Sequence, residues 1–68
     1  MRTFERYQEY ELPNGHILVI DNINYDEEVY ATEWLVHPKT KERIDIICEY
    51  DYVDPSVINR LIDGKIVR

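Results

Sequence analysis

The sequence predicts an α+β domain of ββββα order: two antiparallel hairpins forming a four-stranded sheet, with one face covered by a short C-terminal helix. Three observations carry this expectation. Pro13-Asn14-Gly15 separates two strand-like runs, and the segments 29–37 and 43–53 are dense in β-branched and aromatic residues. Asp54-Pro55-Ser56 then opens an amphipathic stretch that stops near Gly64.

Residues 3–12 (TFERYQEYEL) and 16–24 (HILVIDNIN) form the arms of the first hairpin. A two-residue type I′ turn at Asn14-Gly15 pairs Leu12 with Ile17 and Tyr10 with Val19. A type I turn centred on Pro13-Asn14, with Gly15 as a left-handed bulge residue, pairs Tyr10 with Leu18 instead. The first is preferred because it brings apolar groups together. Phe4, Tyr7 and Tyr10 recur every three residues, so the opening segment also allows a helical turn.

The second hairpin joins 29–37 (VYATEWLVH) to 43–53 (RIDIICEYDYV) across Pro38 to Glu42. Strict alternation puts Ile44, Ile46, Cys48, Tyr50 and Tyr52 on one face and Asp45, Glu49 and Asp51 on the other. The expected register sets Val36 against Ile44, Trp34 against Ile46 and Tyr30 against Tyr50. Trp34, Val36, Ile44, Ile46, Cys48 and Tyr50 are then expected to be buried under Val57, Ile58, Leu61 and Ile62. That helix has Asp54 as N-cap, Pro55 at its first position and Gly64 as a left-handed terminator. Lys65 to Arg68 is expected as a short edge strand or a tail. The strand at 16–20 is apolar on both sides, so it needs cover on both faces, from sheet curvature or from a second chain. A homodimer is the expectation.

Sixty-eight residues make one domain, 1–68, too short for a large core and without a visible staple. Cys48 is the only cysteine, so neither an internal disulfide nor a cysteine-based zinc site is expected. The longest apolar run is Ile17 to Ile20, which predicts neither a signal peptide nor a membrane span, and a cytoplasmic setting follows. Fourteen acids against eight bases give a net charge of −6, which disfavours direct binding to nucleic acid or to an anionic membrane. The acids are also segregated. Tyr7 to Pro38 holds seven acids and no Lys or Arg, Ile44 to Asn59 holds four acids and none, and Lys39, Lys41 and Arg43 stand between.

His16 and His37 sit at hairpin ends without a neighbouring nucleophile, and Cys48 falls on an apolar strand face, so no catalytic centre is expected. Asn22, Asn24, Asp26, Glu28, Tyr30 and Glu33 have roughly EF-hand spacing but lack the leading Asp and the turn glycine. They read as a solvated connection, with no metal and no cofactor.

Tyrosines alternate with carboxylates in ERYQEYE, YDEEVY and EYDYVD. On strands, Glu5, Glu9 and Glu11 would share a face, as would Asp45, Glu49 and Asp51, giving rows of charge spaced by roughly 6.5 Å. Such rows resemble a phosphate backbone, and tyrosine adds contact area of low conformational entropy. The candidate partner-binding residues are Glu5, Tyr7, Glu9, Glu11, Asp26, Glu27, Glu28, Asp45, Glu49 and Asp51. The expected function is a small acidic inhibitor or regulator that binds a basic protein surface. In its sharpest form it is a nucleic-acid mimic of the viral or mobile-element type, acting on a host nucleic-acid-binding enzyme of a restriction or CRISPR system. The alternative is a non-catalytic accessory subunit that homodimerises or completes a larger assembly.

Overall fold

The computed structural model describes residues 2–65. It contains β1 (Glu9–Glu11), β2 (Ile17–Ile23), β3 (Val29–Val36), β4 (Arg43–Val53) and α1 (Pro55–Ile62), in the order ββββα. The strands form one antiparallel sheet with spatial order β1-β2-β3-β4. Residues 66–68 of the expected C-terminal edge strand or tail lie outside the described residues.

The first hairpin takes the bulged turn, not the preferred type I′ turn. Tyr10 lies opposite Leu18 and Glu9 opposite Val19. Pro13 fixes its own φ for the first central position of a type I turn, and Gly15, at φ 88°, supplies the left-handed residue that follows. The Gly15 N–H donates to the Leu12 carbonyl and the Leu12 N–H to the His16 carbonyl, while the Asn14 side chain accepts from the His16 N–H. This register turns Leu12 and Tyr10 into the core, where Phe4 meets the Tyr10 ring edge-on at 5.8 Å. Among the described residues before Gln8, none is in a strand. It turns at Arg6-Tyr7, with Tyr7 at φ 70° donating its N–H to the Ile20 carbonyl.

In the second hairpin the Trp34–Ile46 pairing stands, but the pairing shifts at three places. Val36 lies opposite Arg43, Ala31 opposite Tyr50 and Val29 opposite Val53. Each shift is a bulge that adds a residue to β4 and breaks its two-residue alternation. Ile44 and Ile47 are two of the added residues. The expected buried face is therefore overturned: Ile44 and Ile46 are exposed, while Cys48 and Tyr50 face the opposite way from Ile46. The helix covers the side of the sheet that carries Leu18, Ile20, Val29 and Ala31. These pack with Phe4, Leu12, Ile58 and Leu61, and Tyr50, Val53 and Ile62 lie at the margin.

The helix-free face is partly closed by the chain's own side chains. Val19, Thr32 and Val36 are buried there within a single chain. Lys41, just before β4, and Arg43, its first residue, reach Glu11 (2.9 Å) and Glu9 (3.7 Å) on β1, the opposite edge. In a flat sheet three inter-strand gaps would separate those edges by about 14 Å, so these long side chains lie across the helix-free face and help to cover it. Arg43 lies across Trp34 on the way, 5.1 Å from the ring centre.

The helix begins as its sequence predicts. Asp54 accepts from the Ser56 N–H at 2.9 Å, and this bond holds its carboxyl below the ordinary value of 3.8. Gly64 ends the helix at φ 73°, and a Cβ there would stand 3.0 Å from Pro13 Cγ, so the helix end docks on the first turn. A carboxyl lowered in the folded state stabilises the fold above its unfolded value, and that contribution is lost as pH falls through the folded value. Asp54→Ala is accordingly expected to lower the Tm at neutral pH, with the gap to the parent closing below about pH 4. Thermal melts at the two pH values, followed by far-ultraviolet circular dichroism, check this.

Candidate protein-binding surface

The acids divide by where the basic tip reaches. Glu9 and Glu11 project from β1 on the helix-free side and are paired with Arg43 and Lys41. The predicted row Glu5-Glu9-Glu11 does not form. Glu5 precedes the Arg6-Tyr7 turn and lies outside the strand, where its N–H donates to the Gln8 side chain. Tyr7 is exposed beneath the Arg6 guanidinium, 4.9 Å from its ring centre.

The second predicted row is broken too. Asp45 lies opposite Leu35 and Glu49 opposite Thr32, three positions apart on β3, so the two acids project from opposite faces. The bulge at Ile47 is the cause. Asp45 instead accepts from the neighbouring Ile46 N–H at 2.8 Å. Glu49 and Asp51 crowd the Tyr30 hydroxyl together with Asp21. Chiefly through Glu49, with burial second, they raise its pKa above the ordinary 10.0. Tyr30 also donates to Glu49 at 3.3 Å and packs edge-on against Tyr52, whose hydroxyl accepts from Asn22. Asp21 accepts from Thr32 Oγ1, and its backbone carbonyl accepts from Arg6.

Asp26, Glu27 and Glu28 belong to the β2–β3 turn at this same end of the sheet, where Ile23, Val29 and Val53 lie side by side. One side chain builds the turn. Asn24 Oδ1 accepts from the N–H groups of Asp26 and Glu28, and Asn24 Nδ2 donates to Glu28 Oε1. Glu28 is thereby half-buried, whereas Tyr25, Asp26 and Glu27 stand in water, Glu27 at φ 64°. Among the described residues, no Lys or Arg forms an ion pair with Asp21, Asp26, Glu27, Glu49 or Asp51.

Sequence reasoning missed Glu33. It occupies the middle of β3 on the helix side, is completely buried, and accepts from Asn14 Nδ2 (3.3 Å), His16 Nδ1 (2.5 Å) and the Tyr50 hydroxyl (3.0 Å). Burial and the Glu33 carboxylate push the Tyr50 phenol well above its ordinary value. Read as one acid of a loop pattern, Glu33 looked solvated. The usable signal was its place between Ala31 and Leu35, on the face that the register gives to Ile20 and Leu18. His37, by contrast, does start its turn, its Nδ1 accepting from the N–H groups of Lys39 and Thr40.

Cys48 is a free, half-buried thiol opposite Glu33. Among the described residues, no group of three His, Cys, Asp or Glu side chains is arranged to hold a metal ion, and no helix is long and apolar enough to cross a membrane. No family model, curated protein or solved structure matches the chain.

Proposed function

We propose that this protein is a small, non-catalytic acidic regulator that docks on a basic surface of another protein in the cytoplasm. Its docking surface is the end of the sheet bearing Asp21, Tyr25, Asp26, Glu27, Tyr30, Glu49 and Asp51. One observation supports this reading above the rest: the basic cluster pairs internally with Glu9 and Glu11, so its cations do not offset the acids at the far end of the sheet. Exposed tyrosine beside that acidity supplies contact area with a hydrogen-bonding tip. A groove that holds nucleic acid is the basic surface such a cluster suits best, so a nucleic-acid-binding enzyme is the proposed class of partner. The mimicry would lie in a cluster at the sheet end, because both expected strand-borne rows are broken.

Capture from a cell extract at low and high ionic strength tests this. The parent is expected to retain a partner at low salt, to release it at high salt, and to be displaced by added DNA. Asp26→Lys combined with Glu27→Lys should weaken retention at least tenfold with unchanged circular dichroism, since both side chains are exposed. Glu9→Gln should leave it unchanged. Retention that survives high salt, or that ignores the reversal at Asp26 and Glu27, would sink the reading.

A further inference from the structure

Among the described residues β4 is one of the two edge strands of the sheet, and three isoleucines within four positions stand in water on it: Ile44 at 59%, Ile46 at 45% and Ile47 at 43% exposure. Scattered exposed aliphatics are ordinary, but a cluster on an open sheet edge is a surface awaiting cover. Bulges usually blunt an edge, often together with charged side chains. Here two bulged positions, Ile44 and Ile47, carry isoleucine instead. The hairpin is also polarised, with Lys39, Lys41 and Arg43 at the start of β4 and Glu49 and Asp51 towards its end. An antiparallel strand of the same sequence would bring opposite charges together.

We propose that two copies of this chain associate through β4, antiparallel about a two-fold axis at Ile46, with Arg43 of each copy facing Glu49 of the other. The register follows from the faces. Arg43, Ile46 and Glu49 lie opposite Val36, Trp34 and Thr32, alternate residues of β3, so all three project from the helix-free side. Arg43 and Glu49 are equally spaced about Ile46, and residues paired across antiparallel strands share a face. An axis at Ile46 therefore sets Ile46 against itself, Ile44 against Cys48 and Arg43 against Glu49, and leaves Ile47 opposite Asp45. Centring on Glu49 would set that carboxylate against itself, and centring on Ile47 would set Asp45 against Glu49. The bulges interrupt a continuous ladder, so side chains carry the contact. Arg43 reaches the partner's Glu49 by swinging from Trp34 and from its single 3.7 Å contact with Glu9 towards the outer edge of β4. The inference needs no foreign partner and does not depend on the acidic-surface reading; the two share Glu49 and Asp51.

Sedimentation velocity of the full chain over a wide concentration range tests it. The parent is expected to shift from one-chain to two-chain mass as concentration rises. Ile46→Lys, which sets two ammonium groups against each other on the axis, should stay monomeric with unchanged circular dichroism. Arg43→Glu and Glu49→Arg should each lose at least tenfold in self-affinity alone, yet form a heterodimer when mixed, because each contact then joins opposite charges again. Arg43 also touches Glu9 and Trp34; should Arg43→Glu fail to fold, Ile46→Lys and Glu49→Arg decide the matter, and both must weaken self-association at least tenfold. A parent that stays monomeric throughout, or a dimer indifferent to these two variants, overturns the proposal. Failure here with salt-sensitive partner capture intact would leave the acidic-surface reading standing.

Discussion

Truncating Ile58 to alanine is expected to bring the domain close to its unfolding midpoint at room temperature. Ile58 is fully buried and joins the helix to Leu18, Ile20 and Ala31 across the sheet. Removing such a side chain costs about 2–5 kcal/mol, from lost transfer energy plus the cavity left behind. A core of this size supplies only about 3–5 kcal/mol in all, so the loss consumes most of the stability. Ile46→Ala is the contrasting variant. Its side chain is nearly half exposed, so truncation should cost under about 1 kcal/mol. Urea unfolding of the two variants side by side checks this; equal destabilisation would show that the isoleucines of β4 are core residues after all.

That contrast marks where the sequence could and could not be read. The ββββα order, the helix with its Asp54 cap and Gly64 terminator, and the pairing of Trp34 with Ile46 were legible because each rests on local chemistry. Pro13-Asn14-Gly15 was legible as a turn but not as a register. Choosing the register by apolar matching favoured Tyr10 against Val19, whereas the fixed φ of Pro13 decided for Tyr10 against Leu18. The larger error came from β4. Bulges carry no strong sequence signature, and here three of them re-phase an alternation that looked regular over 43–53. Ile44 and Ile46 thereby passed to water, and Asp45 parted from Glu49. The acidic surface suffered in the same way. The residues were chosen by period two, but the side chains that leave acidity unpaired are set by Lys41 and Arg43 reaching the far edge, a non-local contact absent from any window of sequence.

The buried carboxylate offers the second large effect, and its outcome separates structural from incidental burial. Glu33→Ala removes the acceptor shared by Asn14, His16 and Tyr50, side chains drawn from the first turn, the start of β2 and the middle of β4. Leaving buried donors without their acceptor costs about 1–3 kcal/mol, and the cavity left by the side chain adds to it, enough to consume most of this domain's stability. Glu33→Gln keeps the shape and one acceptor oxygen, so it should retain a cooperative transition at reduced Tm. Tyr50 gives the pH arm of the test. Its phenol is raised in the folded state, so its contribution is fully present below the unfolded value of 10.0 and is lost as pH climbs towards the folded value. The parent should therefore lose stability steeply above pH 10. Tyr50→Phe, which cannot ionise, should start less stable at neutral pH because its hydrogen bond to Glu33 is gone, but should show a shallower decline in alkali. Urea midpoints at neutral and alkaline pH measure both slopes. Parallel slopes would mean that the Tyr50 hydroxyl ionises in the folded protein as freely as in water, and that the cluster around Glu33 does not hold the three strands together.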